Sequence, residues 1–359
     1  MLEHTVSPRN PSDLRGVALV GSGRGLPSTT VSNDTLRALV DTSDDWIRSR
    51  TGIGARRLAG PGESVTSMAS EAAGAALRHA GWEADQIDLI ILATSSPDDL
   101  FGTAPRVQAA LGARQAVAFD LTAACSGFLF ALVTAAQYIR AGSARRALVI
   151  GADQLSRWVD WSDRRTCVLF GDGAGAVALE ACSREQDDLL AFHLRSDGSR
   201  QACLTLAQRE SARESPGGFT TQEGGFHSIA MNGQEVYKFA VREVPVALAV
   251  VLKSAGLEAG QIDWLLLHQA NQRILDAVAD RFSVPPDRVL SNLESYGNTS
   301  AATIPLMLDE AVRDGRVRPG HLLATSGFGA GLSWGAAVMR WSGPAASGAA
   351  PAAPAAAST

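Results

Sequence analysis

A segment of 12 residues recurs in this chain with eight identical positions, and the repetition restricts the folds that the chain can adopt. LRHAGWEADQID at residues 77–88 returns as LKSAGLEAGQID at residues 252–263, 175 positions later. Both copies have the pattern of a helix end, a glycine turn and the entry to an apolar strand. Because chance rarely repeats a segment within the same helix-to-strand context, we interpret it as an internal duplication. The sequence therefore predicts two similar α/β halves.

The duplication sets the expected domain boundaries. At 359 residues, the chain has a length typical of about two domains. We expect the first half at residues 14–185 and the second at residues 186–342. A polar, flexible segment is expected at residues 1–13, and a disordered tail rich in Ala and Pro at residues 343–359.

Cys125 lies between two predicted elements of the first half. A short apolar strand at Val117–Leu121, expected to be buried, precedes it, and an apolar helix at residues 126–139 follows it. Free N–H groups and the macrodipole at a helix N-terminus favour an anion. We therefore expect the Cys125 thiol to ionise more easily than a free cysteine of pKa about 8.5. A free cysteine is also a common buried packing residue, so position alone leaves both interpretations open.

The second half supplies two further candidates when the two copies are aligned. With a gap of two residues, Asn298 falls opposite Cys125. The strand predicted at residues 87–93 corresponds to residues 262–267, and His268 follows directly. Open α/β sheets bind ligands outside the carboxyl ends of their strands. The three side chains are therefore expected at strand ends, where they can share a site.

Two other segments have both a functional and a structural interpretation. Trp46 and Arg50 are spaced i,i+4 on a helix predicted to begin after Thr42 or Ser43. They fit either a buried tryptophan beside a surface ion pair or an aromatic plate and cation for a nucleotide-bearing ligand. GSGRG at residues 21–25 lacks the last glycine of a dinucleotide-binding fingerprint, and we predict a plain strand-to-loop turn there.

Composition disfavours several classes of protein. A net charge of -5 is unfavourable for general nucleic-acid binding. The N-terminal residues lack a signal-peptide pattern, and no apolar run is long enough for a bilayer, so we expect a cytoplasmic protein with free thiols. No bound metal is expected, because four cysteines lack the C-x-x-C spacing of a zinc site: Cys125, Cys167, Cys182 and Cys203.

Six segments resemble motifs of the β-ketoacyl-ACP synthase III family, in the thiolase superfamily, and they occur in the family's order. ACSGF contains Cys125, HQANQRI begins with His268, and NLESYGNTSAATIPL contains Asn298. The other three are DTSDDWIRSRTGI, MNGQEVYKFA and GFGAGLSWG. The likeness extends over about residues 17–341.

The resemblance implies a fold, an activity and an assembly. The fold is a thiolase-like, duplicated five-layer αβαβα arrangement. The activity is an acyltransferase reaction of the EC 2.3.1 class, in which Cys125 takes an acyl group from acyl-CoA. Decarboxylative condensation with malonyl-ACP then gives β-ketoacyl-ACP, which initiates fatty acid or polyketide synthesis. His268 and Asn298 are expected to hold the enolate oxygen, and the backbone N–H groups of Cys125 and Ala330 the oxyanion. The assembly is a homodimer, in which Phe101 closes the partner's acyl pocket.

The resemblance also assigns contacts to the two substrates, and it implies no further cofactor. Trp46 and Arg164 are expected to flank the adenine of coenzyme A, and Arg50 to contact its phosphates. The expected surface for the acidic acyl carrier protein consists of Lys238, Arg242 and Arg273.

Other functions remain open at this point. An acyltransferase of the same fold, passing the acyl group to a hydroxyl or amine in secondary metabolism, would also use Cys125. The joint presence of His268 and Asn298 favours decarboxylative condensation instead. A degradative thiolase is disfavoured because the GFGAG segment lacks a second cysteine. The intact cysteine, histidine and asparagine set argues against a non-catalytic partner subunit, and a nucleotide-binding oxidoreductase has only GSGRG in its favour.

Overall fold

The computed structural model describes residues 15–345. The segment predicted to be flexible at residues 1–13 lies outside the described residues. Of the tail predicted at residues 343–359, only residues 343–345 are described.

The described part of the chain contains 16 strands. In chain order they are β1 (Gly16–Gly25), β2 (Thr29–Ser32), β3 (Ala55–Leu58), β4 (Leu89–Ala93), β5 (Val117–Leu121), β6 (Arg146–Asp153), β7 (Gly173–Cys182), β8 (Leu189–Ser196), β9 (Leu204–Thr205), β10 (Ala212–Glu214), β11 (Thr220–Gln222), β12 (Ala230–Met231), β13 (Trp264–Leu267), β14 (Val289–Leu290), β15 (Leu322–Gly329) and β16 (Ser333–Arg340).

Ten α-helices accompany these strands within residues 15–345. In chain order they are α1 (Asn33–Leu36), α2 (Asp44–Thr51), α3 (Val65–Ala80), α4 (Ala104–Leu111), α5 (Gly127–Arg140), α6 (Arg164–Cys167), α7 (Gly233–Ala255), α8 (Gln272–Phe282), α9 (Leu293–Tyr296) and α10 (Thr303–Arg313). None of the helices in this range has both the length and the apolar character needed to cross a membrane.

Two five-stranded sheets repeat one topology. The first has the order β1-β7-β6-β4-β5, and the second has the order β8-β16-β15-β13-β14 when it is read in the same direction. In each sheet the last three strands run parallel and the first two pair antiparallel with their neighbours. The sheets fall on opposite sides of residue 185, where we placed the boundary between the halves. The predicted duplication is therefore confirmed in three dimensions.

The repeated segments fold alike. α3 ends at Gly81 and α7 ends at Gly256, with φ angles of 70° and 67°. A glycine suits each position because a Cβ disfavours this left-handed conformation. A 3-10 turn then leads into the next strand, at Ala84–Gln86 before β4 and at Ala259–Gln261 before β13. The repeated sequence therefore folds into the same helix-to-strand connection in both halves.

The two sheets and their helices form the five layers that were expected. α5 and α10 lie between the sheets, where Phe128, Leu132 and Met307 share one apolar core with residues of both sheets. The sequence of α5 is apolar on nearly all sides because the helix is covered on both faces. α3 covers the outer face of the first sheet, and α7 covers that of the second.

The GSGRG segment is neither a turn nor a phosphate-binding loop. It lies inside β1 and pairs with β7 along its length. A Cβ at Gly23 would lie 2.1 Å from the Ala72 carbonyl oxygen of α3. The glycines therefore allow a helix to approach the strand closely, so the predicted turn is wrong.

The strand before the nucleophile has the predicted bounds but not the predicted burial. β5 pairs only with β4 among the described strands, so it lies at the edge of the first sheet. Val117 is 61% exposed, and the next four residues are half-buried. The expectation of a buried strand is wrong because local sequence does not fix the position of a strand within its sheet.

Candidate active site

Cys125 lies in a 3-10 turn, Ala124–Ser126, between β5 and α5. The second half has a similar turn at Ser300–Ala302, between β14 and α10. Ala124 and Ser300 begin these turns with φ angles of 48° and 53°. This match places Ala301, rather than Asn298, opposite Cys125. The sequence alignment was therefore shifted by three residues, because two residues separate β5 from its turn, whereas nine residues, which include α9, separate β14 from its turn.

β15 contacts both His268 and the turn that carries Cys125. The His268 backbone N–H donates to the Ser326 carbonyl of β15 at 2.8 Å. A Cβ added at Gly329, the last residue of the same strand, would lie 2.6 Å from the Cys125 backbone nitrogen. One strand of the second half therefore passes both the predicted nucleophile and His268, the predicted enolate donor.

Asn298 reaches the site through Ser300. The Asn298 side-chain oxygen accepts a 2.9 Å hydrogen bond from the Ser300 backbone N–H. The Ser300 hydroxyl in turn donates to Cys125 Sγ at 3.5 Å. Hydrogen bonds through Ser300 thus connect Asn298 with Cys125, whereas His268 is related to them through the backbone of β15.

Burial opposes the ionisation that the sequence predicts for Cys125. Burial raises the pKa of its thiol to about 12, and the nearby Asp153 carboxylate acts in the same direction. The prediction of an easily ionised thiol is wrong because it considered the helix N-terminus without the surrounding desolvation. Burial therefore favours the neutral thiol in the resting protein, and acyl transfer has to release its proton.

His268 is a neutral imidazole. It is 1% exposed, and burial lowers its pKa to about 3. Its ring packs edge-to-face against Phe328, with 5.2 Å between the ring centroids. Within the described part of the chain, Nδ1 has no hydrogen-bond partner. A neutral ring carries one N–H, and it can therefore act as a hydrogen-bond donor.

A cavity of about 540 Å³ opens at Cys125. Ser300 and Ala330 line it beside the cysteine, whereas His268 and Asn298 are buried and are not among its lining residues. Most of the remaining lining is apolar and includes Leu155, Trp158, Phe170, Phe226 and Ile229. Such a cavity can hold an apolar acyl chain against the thiol.

Ala330, the second predicted oxyanion residue, lies at the same cavity as Cys125. It follows Gly329 directly and lines the cavity with Cys125. The glycine brings the two backbones together because it has no Cβ to hold them apart. Backbone amides from both halves of the fold therefore lie close together at the cavity.

The predicted coenzyme A residues lie on neighbouring elements. Ser43 caps α2 as one of the two predicted caps, and the Arg164 guanidinium lies 4.7 Å from the Trp46 ring centroid. Arg164 also donates to the Asp41 carbonyl at 2.7 Å. Arg50 is exposed near the end of α2. The tryptophan and Arg164 are therefore already in contact, and a base inserted between them would have to separate them.

The predicted carrier-protein residues are exposed, but two of them are paired. Lys238 binds Glu235 at 2.9 Å, and Arg242 binds Glu243 at 2.7 Å. Arg273 lies at the start of α8 and donates to the Ser49 carbonyl at 3.1 Å. The basic surface therefore carries less net positive charge than the sequence suggested.

Phe101 and its neighbour differ in their surroundings. The Phe101 side chain is fully exposed, whereas Leu100, although 80% exposed, lines the cavity. The loop that carries both residues therefore connects the cavity with the outer surface.

Sequence reasoning missed Ser300 and Asp153. Asp153 ends β6, and its carboxyl accepts a 3.2 Å hydrogen bond from the Ala301 backbone N–H. The rule that identified His268, a polar residue at the carboxyl end of an apolar strand, also applies to Asp153. The signal for Ser300 was its position two residues after Asn298.

Within residues 15–345, no group of three or more His, Cys, Asp or Glu side chains is arranged to hold a metal ion.

The duplicated fold, with a cysteine where its halves meet, defines an enzyme of the thiolase superfamily. Sequence models of 3-oxoacyl-[acyl-carrier-protein (ACP)] synthase III match residues 119–198, and those of its C-terminal region match residues 252–341. The chain belongs to the β-ketoacyl-ACP synthase III family.

Individual relatives support this assignment. A β-ketoacyl-[acyl-carrier-protein] synthase III of Prochlorococcus marinus (strain MIT 9313) is 69% identical over 92% of this chain and 97% of its own length. The crystal structure of 3-oxoacyl-[acyl-carrier-protein] synthase III from Aquifex aeolicus VF5 is 42% identical, with a TM-score of 0.82 over 91% of this chain and 100% of that one. The priming β-ketosynthase of the R1128 polyketide pathway is 34% identical, with a TM-score of 0.84 over 94% of this chain and 99% of that one.

Proposed function

We propose that this protein is a β-ketoacyl-ACP synthase III that loads an acyl group from acyl-CoA onto Cys125 and condenses it with malonyl-ACP. The product is β-ketoacyl-ACP, the first elongated intermediate of fatty acid synthesis. The observation that carries the proposal is the position of Cys125, which lines a largely apolar cavity while its backbone nitrogen lies against Gly329.

The first half-reaction forms an acyl-cysteine. Cys125 Sγ attacks the thioester carbonyl, and the sulfur of coenzyme A leaves as a thiol. A covalent intermediate divides one difficult transfer into two easier steps. The backbone N–H groups of Cys125 and Ala330 stabilise the oxyanion, and the apolar walls of the cavity receive the acyl chain.

The second half-reaction needs hydrogen-bond donors for an enolate. Malonyl-ACP loses CO2, and the carbanion attacks the acyl-cysteine. His268 suits the role of donor because burial keeps it neutral. Asn298 suits it because its side-chain oxygen is bonded to the Ser300 N–H, which leaves the amide nitrogen to donate. Each such donor is typically worth about 10²–10³ in rate.

The two acyl carriers are proposed to bind at separate surfaces. The contact between Arg164 and Trp46 supports an adenine site near α2, with Arg50 at the phosphates. The proposed carrier-protein surface contains Lys238, Arg242 and Arg273. Because Lys238 and Arg242 are paired with carboxylates, docking there exchanges existing ion pairs for new ones. Coenzyme A and the carrier protein act as substrates, and the proposed chemistry uses no further cofactor.

A homodimer is the proposed assembly. β5 presents an unpaired edge among the described strands, with Val117 largely exposed, and Phe101 is fully exposed nearby in the sequence. Apolar side chains on an open strand edge support pairing with a second copy.

The four free cysteines support the proposed cytoplasmic location.

An acyltransferase of the same fold remains the second candidate. It would use Cys125 and the cavity but pass the acyl group to a hydroxyl or amine. Such a reaction forms no enolate and has no need for the donors His268 and Asn298. The orientation of the Asn298 amide therefore favours condensation.

A product assay tests the proposal. Purified protein is incubated with malonyl-ACP and a series of acyl-CoA primers, and the products are identified by mass spectrometry. We expect β-ketoacyl-ACP and an acyl adduct on Cys125, with both absent in Cys125→Ala. An acyl adduct without any β-ketoacyl-ACP would favour the second candidate. An adduct on another residue would refute the assignment of the nucleophile.

A further inference from the structure

We propose that Trp158 limits the length of the acyl group that the enzyme accepts on Cys125. The inference rests on the proposed function, because it concerns the primer of the first half-reaction. Trp158 lines the cavity at Cys125 and packs edge-to-face against Phe226, with 5.5 Å between the ring centroids and 73° between the ring planes. Trp158 is thus a specificity-determining residue that takes no part in the chemistry.

The lining of the cavity contains small and large side chains. Next to Cys125 in the chain, the lining residues are small, namely Ala123 and Ala124. The large apolar residues come from other segments, and they are Leu155, Trp158, Phe170, Phe226 and Ile229. An acyl chain attached to the sulfur therefore starts beside small side chains and contacts the large apolar ones as it lengthens.

The total volume of the cavity does not restrict the primer to acetyl. A water molecule takes up about 30 Å³ in the liquid. The cavity of about 540 Å³ is many times larger, and it falls in the range of sites that hold small organic molecules. The length of the primer is therefore set by the large side chains that project into the cavity.

Trp158 and Phe226 are the large lining residues that project most. Leu155, Phe170 and Ile229 are buried members of the apolar core. Trp158 and Phe226 are only half-buried, so their rings are the ones that remain accessible to a substrate. Tryptophan has the largest side chain of all residues, and Trp158 consequently takes the most space from the cavity.

The backbone at Trp158 is held on both sides. The residue ends a 3-10 turn, Leu155–Trp158, that follows β6. At the start of this turn, the Ser156 N–H and hydroxyl donate to the Asp172 carboxylate at 3.0 and 2.6 Å. At its end, the Trp158 carbonyl accepts from the Ile229 N–H at 2.9 Å. The turn therefore gives the ring a fixed base.

Phe226 is fixed by a neighbouring segment of the second half. The Phe226 carbonyl accepts a hydrogen bond from the Arg209 guanidinium at 3.2 Å. The next residue, His227, donates its N–H to the Ala207 carbonyl at 2.9 Å. A chain long enough to reach the two rings has to displace both of them, because each ring packs against the other.

Trp158→Ala tests the proposal, and Trp161→Ala is its matched control. Trp161 packs against the same apolar core but is not among the residues that line the cavity. Acylation is measured as release of coenzyme A from unbranched primers, from acetyl-CoA to decanoyl-CoA, and kcat/KM is determined for each primer. Chemical denaturation confirms that each variant is folded. Trp158→Leu, which keeps a smaller apolar side chain, replaces the alanine variant if that variant fails to fold.

We expect Trp158→Ala to raise kcat/KM for decanoyl-CoA relative to butyryl-CoA by at least about 10-fold, since one methylene in an apolar pocket is typically worth about 10–200-fold. Phe226→Ala should shift this ratio in the same direction, and Trp161→Ala should keep the wild-type ratio. A general structural effect would lower kcat/KM for all primers by a similar factor and leave the ratio unchanged.

Two results would overturn the inference. One is a folded Trp158→Ala or Trp158→Leu protein with the wild-type ratio, and the other is an equal shift of the ratio in Trp161→Ala. Failure of the wild-type protein to acylate Cys125 with any primer would instead refute the proposed function.

Discussion

Gly329→Ala should disable the acylation step through a steric effect alone. The backbone at Gly329 is extended, with φ -166° and ψ -169°, so alanine is conformationally allowed there. Its Cβ, however, would lie 2.6 Å from the Cys125 nitrogen and 3.1 Å from Cys125 Cβ. Ordinary contact begins near 3.4 Å, so the turn and the strand must separate by about 0.8 Å.

The size of the expected effect follows from this displacement. A misplacement of about 1 Å in a catalytic arrangement can cost about 10²-fold in rate. Loss of one oxyanion donor typically costs about 10²–10³-fold. We therefore expect acylation to slow by at least about 100-fold. Overpacking of this kind destabilises a protein by about 1–3 kcal/mol, because backbone atoms cannot move aside as a rotamer does.

The assay is single-turnover release of coenzyme A, combined with chemical denaturation to confirm folding. Gly74→Ala is the matched control, since its Cβ would meet only side-chain atoms, at 3.4 Å or more. That variant should acylate at the wild-type rate. A folded Gly329→Ala protein that also acylates at the wild-type rate would show that the close approach of β15 does not set the oxyanion geometry.

Three further predictions concern other parts of the molecule. His268→Ala should lose malonyl-ACP decarboxylation by about 10²–10³-fold while Cys125 is still acylated; equal loss of both steps would contradict the enolate role. The His268 pKa of about 3 lies below the unfolded value of about 6.5, so protons bind the unfolded state preferentially and stability falls as pH drops from about 6.5 toward 3. Denaturation at several pH values should show a shallower acid dependence in His268→Gln, and an unchanged dependence would contradict the shift. Val117→Asp should convert a dimer into a monomer of 37.5 kDa by light scattering, whereas a monomeric wild type would refute the dimer.

The parts of the site that follow strand ends could be predicted from sequence. Cys125 and His268 lie where apolar strands end, and this local pattern is visible without a structure. The glycine turns at Gly81 and Gly256 likewise mark both copies of the repeated unit. These features depend on short stretches of chain, so the sequence specifies them directly.

The electrostatics of the site could not be predicted in this way. The pKa of Cys125 depends on how deeply the second half buries it, whereas the sequence showed only the neighbouring helix N-terminus. The contact between Asp153 and Ala301 joins residues that are 148 positions apart. The partners of Lys238 and Arg242 were visible in the sequence, but their side-chain geometry was not.

The protonation of Cys125 affects how fast peroxide can oxidise and inactivate the enzyme. Peroxide oxidises cysteine chiefly as the thiolate, through sulfenic acid and on to irreversible products. A buried thiol with a pKa of about 12 offers very little thiolate between catalytic cycles. We therefore expect the burial of Cys125 to slow oxidation of the nucleophile while no substrate is bound.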